Sequence, residues 1–245
     1  MTDPLLVDTA YPPDRSCWAR LAAAGPPWHG AILKASHGTR PWGGLAPHWA
    51  AIRAAGGTRY GADWFRGAYH YLLAGHDGAA QADAYLDAIE RAGGWGAGDL
   101  WPIVDVEEGD GNAALVAARA DGVSMLARTV EVFAERVRQQ TGREVVLYAG
   151  GWLRGLGLRD RLGCARLWLA AYVARLPAEE WAGQLGFGVD ELLMWQYAGA
   201  DARGVHAALA GYPRTTPIGD ADISALTMPG GIAALRSRLW AERPG

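Results

Sequence analysis

Cysteine, phenylalanine and long apolar runs are what this chain has little of. Its 245 residues include two cysteines and three phenylalanines. Cys17 and Cys164 are far apart and fit no metal-ligand or redox spacing, so both are expected to be free, buried and inert. No segment is long and apolar enough to span a bilayer. The start, Met1-Thr2-Asp3-Pro4, has neither the basic region nor the apolar stretch of a secretory signal, so a substrate outside the membrane would have to be reached by some other route. Basic charge is not in excess: 23 Lys and Arg against 26 Asp and Glu give a net charge of −3 and a pI near 6.1, which gives no electrostatic case for nucleic acid or for a membrane partner. His29, His48, His70, His76 and His206 show no spacing of the His-x-x-x-His kind, and no metal or organic cofactor is implied. No Pro/Ser-rich linker, internal repeat or low-complexity tract divides the chain, so residues 1–245 are expected to form a single domain, possible at this length as one large barrel.

Glycine and tryptophan are abundant, at 34 and 12 residues. Loop glycines and indoles suit a carbohydrate groove, although most of the tryptophans are expected to fill the core. Strand and helix patterns alternate along the chain. Short apolar strands are predicted at 5–7, 31–35, 67–73, 100–106, 145–149, 167–173, 192–197 and 221–225. Helices are predicted at 18–24, 47–55, 79–92, 122–140 and 231–240, several closed by glycine. Regular alternation over this length predicts an α/β fold, a parallel-stranded barrel of the TIM type.

In such a barrel, chemistry sits at the C-terminal ends of the strands. The most informative end is Leu100-Trp101-Pro102-Ile103-Val104-Asp105-Val106-Glu107-Glu108-Gly109. Side chains alternate faces along a strand, so Asp105 and Glu107 share one face, roughly 6–7 Å apart at the strand rise. Glu108 points away and reads as a solvated acid. Taken with Asp8, Lys34, His37, Tyr69, Tyr148, Tyr172, Trp195, Gln196 and Asp222, they place four carboxylates and several aromatics at one mouth, a binding cleft with an acid cluster. Glycosidic cleavage needs a proton donor and a group that stabilises an oxocarbenium-like centre. Glu107 is the candidate general acid and Asp105 the partner expected to ionise first. Asp8 and Asp222 would bind substrate or tune the pair. Tyr69, Tyr148, Tyr172 and Trp195 are positioned to stack on sugars, to hydrogen-bond the acids, or to pack in the core. Lys34 would pair with an acid, and His37 is either a substrate donor or a surface loop residue. The spacing falls between the retaining and inverting ranges and leaves the stereochemistry open.

The ordered series of motifs resembles glycoside hydrolase family 25, the N-acetylmuramidases or lysozymes of bacterial and phage origin. It comprises Val7-Asp8-Thr9, Ile32-Leu33-Lys34-Ala35-Ser36-His37, Gly67-Ala68-Tyr69-His70-Tyr71, Gln81 to Leu86, Pro102 to Glu107, Leu147-Tyr148, Leu167 to Tyr172, Met194-Trp195-Gln196-Tyr197 and Asp222-Ile223. The chain departs from the family pattern at His37, where an acid is usual, at Ser224, where Asn is usual, and in an apparent insertion over 57–65. The resemblance implies the family's irregular barrel, with a more antiparallel late half. It implies cleavage of the β-1,4 bond between N-acetylmuramic acid and N-acetylglucosamine, and it adds a third route in which Asp105 orients the substrate's 2-acetamido group. The partner implied is the peptidoglycan glycan strand, reached after phage lysis or non-classical export from a cytoplasmic site of synthesis; a monomer is one reading of the assembly, and the sequence leaves the oligomeric state open. A glycan-binding or structural barrel with weakened catalysis is the alternative from a different class.

Overall fold

The computed structural model describes residues 3–57, 63–173, 175–199, 212–213 and 215–241. Most of the apparent insertion at 57–65, and His206, fall outside them. Strands β1 (Leu5–Thr9), β2 (Trp28–His37), β4 (Phe65–Tyr71), β5 (Ile103–Val106), β6 (Val146–Ala149), β7 (Arg166–Ala170), β8 (Leu192–Ala198) and β9 (Asp222–Leu226) pair in a ring that closes through β1 with β2. A two-residue strand, β3 (Arg40–Pro41), lies antiparallel on the end of β2. Helices are α1 (Cys17–Ala24), α2 (Leu45–Gly57), α3 (Gly78–Arg91), α4 (Asn112–Ala118), α5 (Gly122–Thr141), α6 (Gly151–Gly155), α7 (Ala178–Gly183) and α8 (Gly231–Ala241).

The long helices follow from their sequences. α5 buries Leu126, Thr129, Val130, Phe133, Ala134 and Val137, a stripe at helical spacing, and stops where Gly142 takes a left-handed φ of 66° and returns its N–H to Arg138 O. α3 starts where Asp77 accepts hydrogen bonds from the backbone of Ala79 and Ala80. The short α4, α6 and α7 had no visible period, because five to seven residues complete too few turns to show one. β5 starts later than its apolar run: Pro102 has no N–H to give to the ladder, so Leu100 reaches Arg66 O as an isolated contact and pairing resumes at Ile103.

Within the ring β1, β2 and β4 to β8 run parallel, and β9 is antiparallel to its neighbours β8 and β1. The irregularity of the late half lies in one reversed strand, β9, and in short helices. One apolar cluster packs the outer faces of the strands against the helices. A second fills the barrel, with Leu6, Ile32, Ile103, Val146, Met194 and Leu226. Leu235 and Leu239 of α8 join the inner cluster. Because α8 follows the end of β9 remote from Asp222, it closes the barrel floor and leaves the other end as the mouth.

Candidate active site

The inner face of the barrel changes character one step up each strand. Leu6 gives way to Asp8, Ile32 to Lys34, Gly67 to Tyr69, Ile103 to Asp105, Val146 to Tyr148 and Met194 to Gln196. Two-residue periodicity brings the second member of each pair to the same side as the first, so a polar layer lies directly above the apolar one. Gly67 lets the chain pass close here: a Cβ would meet Leu100 Cδ1 at 2.9 Å and Ile32 Cγ1 at 3.2 Å, and those side chains would have to shift.

Asp8, Asp105, Glu107 and Asp222 line one cavity of about 70 Å³ with Tyr69, Tyr148 and Trp168. Asp222 arrives there differently from the others. It opens β9 rather than closing a strand, and it faces Asp8 across the antiparallel pairing. Reversal of β9 brings the N-terminal end of that strand to the mouth, so Asp222 sits at the start of its strand and not at the C-terminal end expected of it.

Gln196, 1% exposed, ties these groups together from behind. Its Oε1 accepts hydrogen bonds from Tyr148 Oη (2.7 Å) and Tyr172 Oη (2.9 Å). Its Nε2 donates to Asp8 (3.1 and 3.3 Å to the two oxygens) and to Asp222 Oδ2 (3.2 Å). Two phenol donors on one side and two carboxylates on the other fix which way the amide points. Gln196 therefore holds the acids in place, where a substrate-binding residue had been expected. Ser224, the departure in the last motif, accepts Trp168 Nε1–H at 2.9 Å and lies against Asp8.

Burial raises the carboxyl pKa values. Asp105 is held well above the usual carboxylate range by desolvation and by Glu107, against the pull of Lys34. Its Oδ1 is buried with no hydrogen-bond partner. Asp8 is likewise held high, by burial and by Asp222. Glu107 is raised too, first by desolvation, but it is the less enclosed of the pair. The expectation that Asp105 ionises first therefore does not follow from the free protein: the deeper acid is Asp105, and no donor reaches its Oδ1. Tyr148 has one phenolic proton and two neighbours, Gln196 Oε1 and the Glu107 carboxyl. When Glu107 is protonated both hydrogen bonds form, Glu107 donating to Tyr148 and Tyr148 to Gln196. When Glu107 is ionised, Tyr148 can serve only one of them.

Lys34 Nζ lies over the rings of Tyr71 (5.3 Å), Tyr11 (5.6 Å) and Tyr69 (5.9 Å) and favours the ionised forms of Asp105 and Glu107. Tyr172, 42% exposed, lines a wider groove that adjoins the cavity. His37 lies outside both. It stacks on Tyr71, with ring centroids 4.6 Å apart, and approaches Asp110 at 3.4 Å. Trp195 requires a correction. It points outward into the strand–helix core and donates to Ala171 O, because Gln196 takes the inward position on β8. The indole that does reach the cavity is Trp168 of β7, which the sequence did not single out because that strand is buried on both faces. Among the described residues, no group of three or more His, Cys, Asp or Glu is arranged to hold a metal ion.

A closed barrel with buried acids at its mouth is a site suited to acid–base chemistry. A family model described as Glycosyl hydrolases family 25 matches residues 11–203. The chain belongs to that family and is a glycoside hydrolase. The matched segment contains Asp105 and Glu107; Asp8 and Asp222 lie outside it and are supplied by the fold. A family 25 glycosyl hydrolase from Bacillus anthracis superimposes with a TM-score of 0.68 at 18% identity, over 96% of this chain and 93% of that one. A muramidase from Acremonium alcalophilum gives 0.68 at 22% identity, over 97% and 99%. A bacterial lysozyme from Streptomyces coelicolor gives 0.67 at 20% identity, over 99% and 100%. These likenesses establish the fold. A search of curated protein sequences found no match.

Proposed function

We propose that the protein is a peptidoglycan hydrolase that cleaves the β-1,4 bond between N-acetylmuramic acid and N-acetylglucosamine. The observation that carries this reading is the pair Asp105 and Glu107 on one face of β5, enclosed with Asp8 and Asp222 in a cavity where burial keeps protons on carboxyl groups at unusually high pH. Similarity to proteins named as muramidases and lysozymes supports the substrate class.

In this reading Glu107 gives its proton to the glycosidic oxygen as the bond to the anomeric carbon breaks. Asp105 faces the positive charge that develops there, either directly or by orienting the 2-acetamido oxygen as the internal nucleophile. Water then delivers hydroxide to the anomeric carbon and returns its proton to Glu107. Gln196 and Tyr148 hold Asp8, Asp222 and Glu107 in register while charge moves.

Glu107→Gln keeps the side-chain shape and removes the transferable proton. Release of reducing ends from purified cell walls should fall ~10²–10⁴-fold. Reduction of the products with borohydride followed by mass spectrometry identifies the bond: reduced muramic acid is expected, and reduced glucosamine would mean cleavage of the other linkage. Turnover by the variant at the wild-type rate would remove Glu107 from the mechanism, and no turnover by the wild type would favour a glycan-binding barrel.

A further inference from the structure

Next to the acid cavity runs a groove of about 540 Å³ that shares Glu107 and Tyr148 with it. The far wall comes from Trp152 and Arg154 of α6 and Trp181 of α7, which neither the acids nor their supports use, and from Tyr172 after β7, whose hydroxyl donates to Gln196. The guanidinium of Arg154 lies flat on Trp181, 3.8 Å from the ring centroid. Its Nη1 donates to Gln184 Oε1 at 3.2 Å, and Gln184 in turn donates to Glu180 at 3.3 Å. Its Nε is buried with no acceptor. A stacked arginine is normally matched by a carboxylate or phosphate that takes two parallel N–H bonds. Here the hydrogen-bond partner among the described residues is one neutral amide, and a desolvated donor left unmatched is costly.

The groove floor has been kept clear. A Cβ on Gly150 would meet nothing nearer than Ala170 Cβ at 3.9 Å, and one on Gly151 nothing nearer than Arg154 Nη2 at 3.6 Å. Gly150 is extended, with φ −111°, and neither glycine has a left-handed φ. Packing and backbone would both accept a side chain at these positions; open space is what glycine provides.

We propose that this groove receives the peptide arm that peptidoglycan carries on its muramic acid residues, with Arg154 pairing with a peptide carboxylate while Trp152, Tyr172 and Trp181 cover its apolar parts. The inference rests on the peptidoglycan reading above. It follows from the continuity of the groove with the cavity: a glycan held at Glu107 projects its substituents into the adjoining space, where Arg154, within the influence of Glu180 but hydrogen-bonded among the described residues only to the neutral Gln184, presents its guanidinium.

The test compares purified walls with the same walls stripped of peptide by an amidase. The wild type should show the higher kcat/KM on peptide-bearing walls. Arg154→Gln should reduce the ratio of the two values about 10-fold, the size of a charge-assisted contact, and Gly150→Leu, which fills the floor beside Ala170 and away from Arg154, should reduce it in the same direction. Binding of the free stem peptide to Glu107→Gln protein, followed by NMR, should weaken with added salt and be lost when Arg154→Gln is added. A ratio unchanged in both variants overturns the proposal, as does equal loss on both substrates, which would make Arg154 a support of the fold or of the glycan site. Equal cleavage of both wall preparations by the wild type also refutes it while leaving the peptidoglycan reading intact; cleavage of neither removes that reading as well.

Discussion

Asp105 holds one carboxylate oxygen in a place where no donor reaches it. An acid whose folded-state pKa lies above its unfolded value of about 4 costs stability once ionised. Below pH ~4 the carboxyl is protonated in both states and the cost is absent. It grows as pH rises toward the folded-state value and is fully present above it. Asp105→Asn should therefore raise the melting temperature at neutral pH, by roughly 2–4 °C for each kcal/mol recovered in a chain of this size, and should gain little at pH 3. The same substitution should lower wall hydrolysis by ~10²-fold or more. Calorimetry at the two pH values beside an activity assay checks both arms. A melting temperature that falls at neutral pH would show that Asp105 has a donor after all. At this scale the sequence was partly legible. Strand alternation put Asp105 and Glu107 on one face. It left the order of ionisation open, because burial depth is set by Asp8, Asp222 and Tyr69, which come from other strands. It also left open which face of Met194-Trp195-Gln196 points inward, because a barrel strand is buried on both sides and its pattern does not alternate.

Among the elements, β4 carries a second charged group far from the chemistry. Arg66 is 5% exposed. It donates to both oxygens of Asp99 (2.9 and 2.5 Å), donates to Trp49 O, and lies 3.7 Å from the Trp49 ring centroid; Arg53 adds two more hydrogen bonds to Asp99 at 3.0 Å. The cluster joins the start of β4 to α2 and to the loop before β5. Asp99→Ala leaves Arg66 charged and buried without its partner and should destabilise the fold by about 3–5 kcal/mol, read as a lowered urea midpoint with the slope retained. An unchanged midpoint would mean that water replaces the carboxylate at little cost. The long helices α3 and α5 were legible from periodicity and end signals. The direction of β9 was not, because a five-residue strand reads the same both ways and its partner β1 lies at the other end of the chain.

The whole molecule brings together acids from residues 8, 105, 107 and 222, while its net charge is only −3. Such a cluster loses its protons in coupled steps, so hydrolysis should follow a bell-shaped pH profile with an optimum on the acid side of neutral. The alkaline limb reflects proton loss from the coupled acids around Glu107. The acid limb reflects protonation of the last carboxylate that must stay charged. His37 is not expected to contribute: burial lowers its pKa from the usual value, with Asp110 opposing and Lys34 and Arg40 adding to the shift, and it lies outside the cavity. The alkaline limb of His37→Ala should therefore overlay that of the wild type, and a limb displaced by half a pH unit or more would restore His37 to the mechanism. The barrel itself was readable from the alternation of strands and helices, since each strand buries an apolar stripe that only a neighbouring helix layer can cover.

Lys34, ringed by three tyrosines above the acids, is also the only lysine among the chain's 23 basic residues. Amine-directed chemistry, which in most proteins marks the whole surface, is thereby confined here to the mouth of the barrel and to any α-amino group. Reductive methylation with a carbon-13 label would place a single side-chain reporter beside Asp105 and Glu107, and the extent to which a bound glycan shields it from the reagent would measure occupancy of the site without any bond being cut.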